Sequence, residues 1–154
     1  MLRLSRKMLF ALEAVVDIAY NARPEPVQSK EITRRQGIPQ RYLEQVMQQL
    51  VHAGVLKGVR GPKGGYRLAR ERRRITVGEI IRVVGAIESA EEEDNGEGAP
   101  MTSDLGKKVV QPLWSELHDT IMAKLDSITV EDLCRRAESA GVHSEGRERM
   151  DFSI

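Results

Sequence analysis

The chain has 154 residues, 24 Lys and Arg against 23 Asp and Glu, and one cysteine, Cys134. That length suits one compact domain with an extension, and a lone cysteine excludes an intrachain disulfide or a multi-cysteine zinc or iron–sulfur site within one chain. The net charge of +1 hides an asymmetry, since residues 1–90 carry 17 Lys and Arg against 8 Asp and Glu, while residues 91–154 carry 7 against 15. The first part should meet a polyanion and the second should stay off it.

From about Ser5 to Asn21, Met8, Leu9, Leu12, Val15, Val16 and Ala19 recur at helical spacing, with Glu13 and Asp17 apart from them. The cations Arg3, Arg6 and Lys7 precede this run, but the two acids interrupt it and no cleavage site follows, so it is not a signal peptide. No stretch is long and apolar enough to span a bilayer, and the protein is expected to be cytoplasmic with no membrane partner. Pro24 and Pro26 break the chain. Ser29 then caps a short helix over residues 30–36, Gly37 supplies a turn, and Pro39 opens a third helix that runs to about His52. On that helix Leu43, Val46, Met47 and Leu50 form one face, and Arg41, Gln45 and Gln48 the opposite one, with Glu44 at its margin.

Two strand-like runs, 55–60 and 66–69, flank the turn Gly61-Pro62-Lys63-Gly64-Gly65. They predict a β-hairpin whose tip, stiffened by Pro62 and charged by Arg60 and Lys63, suits close approach to a polyanion. The basic run Arg70-Glu71-Arg72-Arg73-Arg74 follows, and Thr76 caps a fourth helix over 77–84. Residues 88–102, rich in Glu and Gly, predict a flexible acidic linker. Ser103 then caps a long helix with the seam Val110, Trp114, Leu117, Ile121, Leu125 and Ile128, in which Pro112 marks a start or a kink. Thr129 caps a short terminal helix over 130–140, and 141–154 should be a frayed polar tail.

Two short helices followed by a cationic hairpin have the order of a winged helix-turn-helix. Three packed helices alone would be uninformative, but the polar face, the wing and the local positive charge together point to double-stranded DNA. Major-groove chemistry fits: Arg41 pairs with guanine, Gln45 or Gln48 with adenine, and Glu44 accepts from cytosine. Arg60 and Lys63 suit minor-groove or phosphate contact. The four glycines of the hairpin match neither phosphate-binding loop pattern, and a strand follows where a helix would be required. With 4% aromatics the chain lacks a stacking platform for single strands. The three histidines lack ligand spacing, and no nucleophile–base arrangement suggests an enzyme. The Trp114 seam, reached through the acidic linker, has little of its own domain to pack on and predicts a dimer interface. Cys134 has two readings: a small buried hydrophobe, which its helical position favours, or a redox handle activated by Arg135 and Arg136.

At this point the chain resembles the Rrf2 family of bacterial transcription regulators. The resemblance rests on Phe10-Ala11-Leu12, Gln36-Gly37-Ile38, Tyr42-Leu43-Glu44-Gln45, Ala53-Gly54-Val55-Leu56, the wing from Val59 to Leu68, Ile75 to Ile81, and Leu133. It implies a homodimer joined by crossed long helices on palindromic promoter DNA, with Tyr42 and Glu44 at the DNA and Arg60 in the minor groove. Where many members carry a small polar residue on the recognition helix, this chain has Arg41. Well-known members place three cysteines before the long helix to hold an iron–sulfur cluster; here the loop from Glu91 to Asp104 has none, so no cofactor is expected.

The expected fold is mainly α with a small β-hairpin: a winged helix-turn-helix over 1–87, the linker over 88–102, and a long C-terminal dimerisation helix with a short terminal helix over 103–140. The expected function is a homodimeric, sequence-specific DNA-binding regulator, a repressor answering to a small molecule or a partner protein. The DNA would be met by Ser29, Gln40, Arg41, Tyr42, Glu44, Gln45, Gln48, Arg60, Pro62 and Lys63, and the second copy by Trp114, Leu117, Ile121 and Leu125. Two rivals stay open from the residues: a protein-interaction module that has lost DNA binding, and an architectural DNA binder without sequence preference.

Overall fold

The computed structural model describes residues 5–95 and 101–147, with side chains from 90 to 95 left aside. Helix α1 (Arg6–Tyr20) begins where the Ser5 hydroxyl accepts the Met8 N–H at 3.2 Å, and Ser5 also donates to the Glu88 carboxylate. Its face of Met8, Ala11, Ala14, Val15, Ile18 and Ala19 is buried. Two expectations for α1 need correction. Leu9 is exposed, and Asp17, placed in solvent by its spacing, is 2% exposed because Arg35 reaches it from the next helix.

Helix α2 (Ser29–Gln36) starts one residue earlier than the capping pattern suggested. Ser29 is its first residue rather than its cap, because the Glu31 carboxylate turns back to accept the Gln28 N–H at 2.9 Å and closes the end there. Gly37 sits at φ 67, where a side chain would be strained, and reverses the chain into the buried Ile38. Pro39 precedes α3 (Gln40–His52) rather than opening it, and its carbonyl accepts the Leu43 N–H. Leu43, Val46, Met47 and Leu50 all enter the core, as their period predicts.

Strands β1 (Leu56–Val59) and β2 (Gly65–Leu68) pair antiparallel, with Leu56 opposite Leu68 and Val59 opposite Gly65. Val27 adds a separate rung to β2: its N–H donates to the Tyr66 carbonyl at 3.0 Å and its carbonyl accepts the Tyr66 N–H at 2.7 Å. Gly65 is required beside this rung, since a Cβ there would lie 2.4 Å from the Val27 oxygen.

Helix α4 (Val77–Asn95) is capped by Thr76, whose hydroxyl accepts the Glu79 N–H. It runs eleven residues past the expected end at 84, so the proposed linker is helical through Asn95. Glu and Ala are good helix formers, and the acidic run satisfies its backbone along the helix. Of the rest of that proposed linker, residues 96–100 lie outside the described residues.

The long helix starts after Ser103, whose hydroxyl accepts the Gly106 N–H at 3.0 Å. Pro112 neither starts nor breaks it. The turn Gly106–Val110 widens to π spacing, with the Gln111 N–H reaching back to the Gly106 carbonyl, and α5 (Gln111–Asp126) continues from there. The wider turn makes room for a proline ring that would otherwise crowd a carbonyl of the preceding turn.

After α5 the chain returns to its own core. Val77 N–H donates to the Ile128 carbonyl and Val130 N–H to the Ile75 carbonyl, a two-bond ladder around Thr76 and Thr129. Helix α6 (Val130–Ser139) carries the Thr129–Asp132 capping box and buries Val130 and Cys134 in the same core as α1. Residues 142–147, expected as frayed tail, are docked instead. The Tyr20 hydroxyl donates to the Val142 carbonyl, the Ser144 hydroxyl to the Tyr20 carbonyl, and the Glu145 N–H to Asn21 Oδ1. The rest of that tail, 148–154, lies outside the described residues. No helix among the described residues is long and apolar enough to cross a membrane.

Candidate nucleic-acid interface

At 100° per residue, Arg41, Gln45 and Gln48 form one stripe opposite the buried face of α3, and all three are exposed. Gln40 and Glu44 flank the stripe on one side, where the Gln40 amide donates to the Glu44 carboxylate at 3.2 Å. Tyr42 flanks it on the other at 42% exposure. Residues of a buried helix face cannot read base edges, so this division leaves the five polar side chains and the Tyr42 phenol available for recognition.

Lys7 was missed as part of this surface. Its ammonium stands 5.5 Å from the centroid of the Tyr42 ring, within cation–π range, and brings positive charge from α1 to the recognition helix. The basic start of the chain, Arg3, Arg6 and Lys7, is the sequence signal for it.

The wing tip spans Arg60 to Gly64, closed by a 2.9 Å hydrogen bond from the Gly64 N–H to the Gly61 carbonyl. Arg60, Pro62 and Lys63 are exposed there. Arg67, by contrast, is bound to the Pro24 carbonyl and braces the base of the hairpin. In the basic run at 70–74, Arg70 pairs with Glu79 at 2.6 Å and Arg73 with Glu71 at 2.5 Å, both at the surface. Ser29 is half-buried at the start of α2.

Behind the interface, a buried charge network fixes α2 against α1. The Asp17 carboxylate accepts from Arg35 Nε and Nη2 at 2.8 and 2.7 Å and from Gln36 Nε2 at 2.8 Å. Arg35 Nη1 also donates to Glu145 at 2.8 Å, and these carboxylates hold its guanidinium well above its ordinary value against the opposing effect of burial. Arg23 pairs with Glu31 at 2.7 Å. Partial burial works against the charged carboxyl, but the hydrogen bonds from Arg23 and Gln28 and the charges of Arg23 and Arg35 bring Glu31 down to about 2.

The second predicted surface lies on α5. Leu113, Trp114, Leu117 and Ile121 are 54, 48, 45 and 43% exposed, continuing Leu105, Val109 and Val110 on the preceding turns. Leu125, expected at the same interface, is half-buried and packs on the chain's own core, as does Ile128, next to the ladder at Thr76. Cys134 is 4% exposed, and burial pushes its thiol up in spite of the nearby Arg72 cation.

The Rrf2 family, described as an iron-dependent transcriptional regulator, matches residues 4–136. The HTH-type transcriptional regulator IscR of Escherichia coli O9:H4 (strain HS) is 36% identical over 99% of this chain and 96% of its own. Among solved structures, IscR of T. potens is 36% identical with a TM-score of 0.70, covering 96% of both chains. CymR (YrzC), the global cysteine regulator of B. subtilis, is 30% identical with a TM-score of 0.66, covering 88% of this chain and 98% of that one. A cysteine-held cluster does not fit, because the one thiol is buried in α6 and no three His, Cys, Asp or Glu side chains converge among the described residues. With its winged helix-turn-helix, exposed recognition face and full-length likeness to such regulators, the chain belongs to the Rrf2 family of DNA-binding transcription regulators.

Proposed function

We propose that this regulator acts as a homodimeric repressor on two-fold promoter sites, with α3 of each copy in a major groove and each wing tip in the adjacent minor groove. The observation that carries this reading is the apolar stripe on α5. Four large side chains from Leu113 to Ile121, each more than 40% exposed, are more than a lone chain leaves in water without a purpose. A second copy covers such a stripe symmetrically and presents two recognition helices to two half-sites. Arg41, Gln45 and Gln48 read base edges, Arg60 enters the minor groove, and Lys63 meets phosphate. Repression follows from occupying promoter DNA, and the signal is a small molecule or partner protein rather than a cysteine-held cluster.

Sedimentation and duplex competition test this together. Wild type should sediment as a dimer and favour a selected duplex over random sequence by about a thousandfold or more at physiological salt. Leu117→Asp should sediment as a monomer with an unchanged helical spectrum and much weaker binding. A monomeric wild type, or equal binding to both duplexes, would overturn the reading.

A further inference from the structure

A cavity of about 750 Å³ opens between α1, the end of α2, α6 and the docked segment 142–145, a volume in the range of sites for small organic molecules. Leu12 and Val16 from α1 and Leu133 from α6 line it, and all three are only half-buried although they pack on the core, so apolar surface stays wet. Guanidinium groups stand at its edge: Arg34, Arg35 and Arg136.

Two of these already hold a carboxylate supplied by the chain itself. Arg34 grips Glu145 with both terminal nitrogens, at 3.1 and 2.9 Å, and Arg35 adds a third bond at 2.8 Å. Arg35 is committed to Asp17 inside the fold. Arg34 is different: its side chain is 61% exposed, and Glu145 is its one salt-bridge partner among the described residues. A planar two-oxygen anion therefore has a matched, solvent-accessible fork beside an apolar wall.

We propose that this cavity binds a small amphipathic carboxylate, its hydrocarbon body on Leu12, Val16 and Leu133 and its head group displacing Glu145 from Arg34. This identifies the site and ligand class for the effector response proposed above and rests on that reading. The coupling is short. Arg34 and Arg35 lie in the last turn of α2, just before the Gly37 turn that aims α3. Displacing Glu145 from Arg34 cuts its side-chain tie to α2 from three bonds to the single one from Arg35, while Ser144 and the Glu145 backbone stay bound to α1.

The test uses the full chain with octanoate as probe, acetate as the head group alone and 1-octanol as the body alone, read by calorimetry and thermal shift. Octanoate should bind and raise the melting temperature more than either part. Arg34→Ala should weaken it about tenfold or more through loss of a charge-assisted fork, and Arg34→Lys should fall between. Glu145→Gln removes the competing anion and should tighten binding several-fold. Octanol binding as well as octanoate, no effect of Arg34→Ala, or weaker binding by Glu145→Gln would each overturn the proposal. Binding of the ligand-free protein to its selected duplex is measured alongside. If that binding is intact and octanoate has no effect on the protein, only the cavity assignment fails; if that binding is absent, the regulator reading itself fails.

Discussion

The Asp17–Arg35 pair offers a sharp measure of how the helix-turn-helix is held. Asp17→Asn keeps the side-chain shape but removes the charge facing Arg35, whose side chain is 9% exposed. Breaking a buried pair by neutralising one partner costs about 3–5 kcal/mol, because the other charge is left without compensation. Here the loss is moderated, since Glu145 remains at 2.8 Å from Arg35 and Glu31 at 3.8 Å. The lower end of the range, about 3 kcal/mol, is therefore expected. For a chain of this size that corresponds to a fall of about 6–12 °C in melting temperature. The assay is thermal and urea denaturation at one fixed protomer concentration, because the proposed dimer would make the midpoint concentration-dependent. Adding Arg35→Met should recover part of the loss, since the uncompensated cation is then gone. A melting temperature within about 2 °C of wild type for Asp17→Asn, or no recovery in the double variant, would refute the assignment of this network as a structural brace.

The other predictions concern the wing, acid and the thiol. Arg60→Ala should weaken DNA binding and relax A·T preference at the contacted step, whereas Lys63→Ala should weaken all duplexes alike and lower the salt slope by about 1; identical effects of the two would remove Arg60 from the groove. The folded surroundings hold the Glu31 carboxyl down to about 2 from an ordinary value of 4.5, so its contribution is full above 4.5 and is lost as pH falls from there through about 2. Glu145, also lowered, acts in the same direction, and Glu31→Gln should flatten the acid limb of an unfolding curve. Burial and a raised thiol pKa predict that Cys134→Ser and wild type lose DNA binding at the same peroxide dose. Release of the wild type alone would mark Cys134 as a switch.

What the sequence disclosed was set by local period. The faces of α3 follow from a 3.6-residue repeat, and the hairpin from two short apolar runs around a Gly/Pro turn, so both are legible without tertiary information. The misses share a different origin. Asp17 lies at the edge of an amphipathic helix, and only the fold brings Arg35 to it from 18 residues away. The docking of 142–147 is likewise tertiary: its bonds reach Tyr20 and Asn21, more than 120 residues back, from a segment with no periodic pattern. The extension of α4 was misjudged because acidic repulsion was weighed above the helix propensity of the same residues. On α5 the seam was continuous in sequence, yet the ladder at Thr76 divides it into an outward part and the inward Leu125 and Ile128.

That ladder also has a metrical consequence. The end of α5 is pinned to the reader domain by two backbone bonds at Ile75 and Val77 and by the Arg82–Asp126 clamp at 2.6 and 2.7 Å. Within each chain the angle between the apolar stripe and α3 is thus set by rigid backbone, not by a loose tether. In the proposed homodimer, a pair of such chains would work as a caliper of fixed opening. One extra base pair between half-sites moves the second by about 3.4 Å along the duplex and about 35° around it. Sequences recovered by selection should accordingly share one half-site spacing, and lengthening the 127–129 connection by one residue should shift the preferred spacing instead of broadening it.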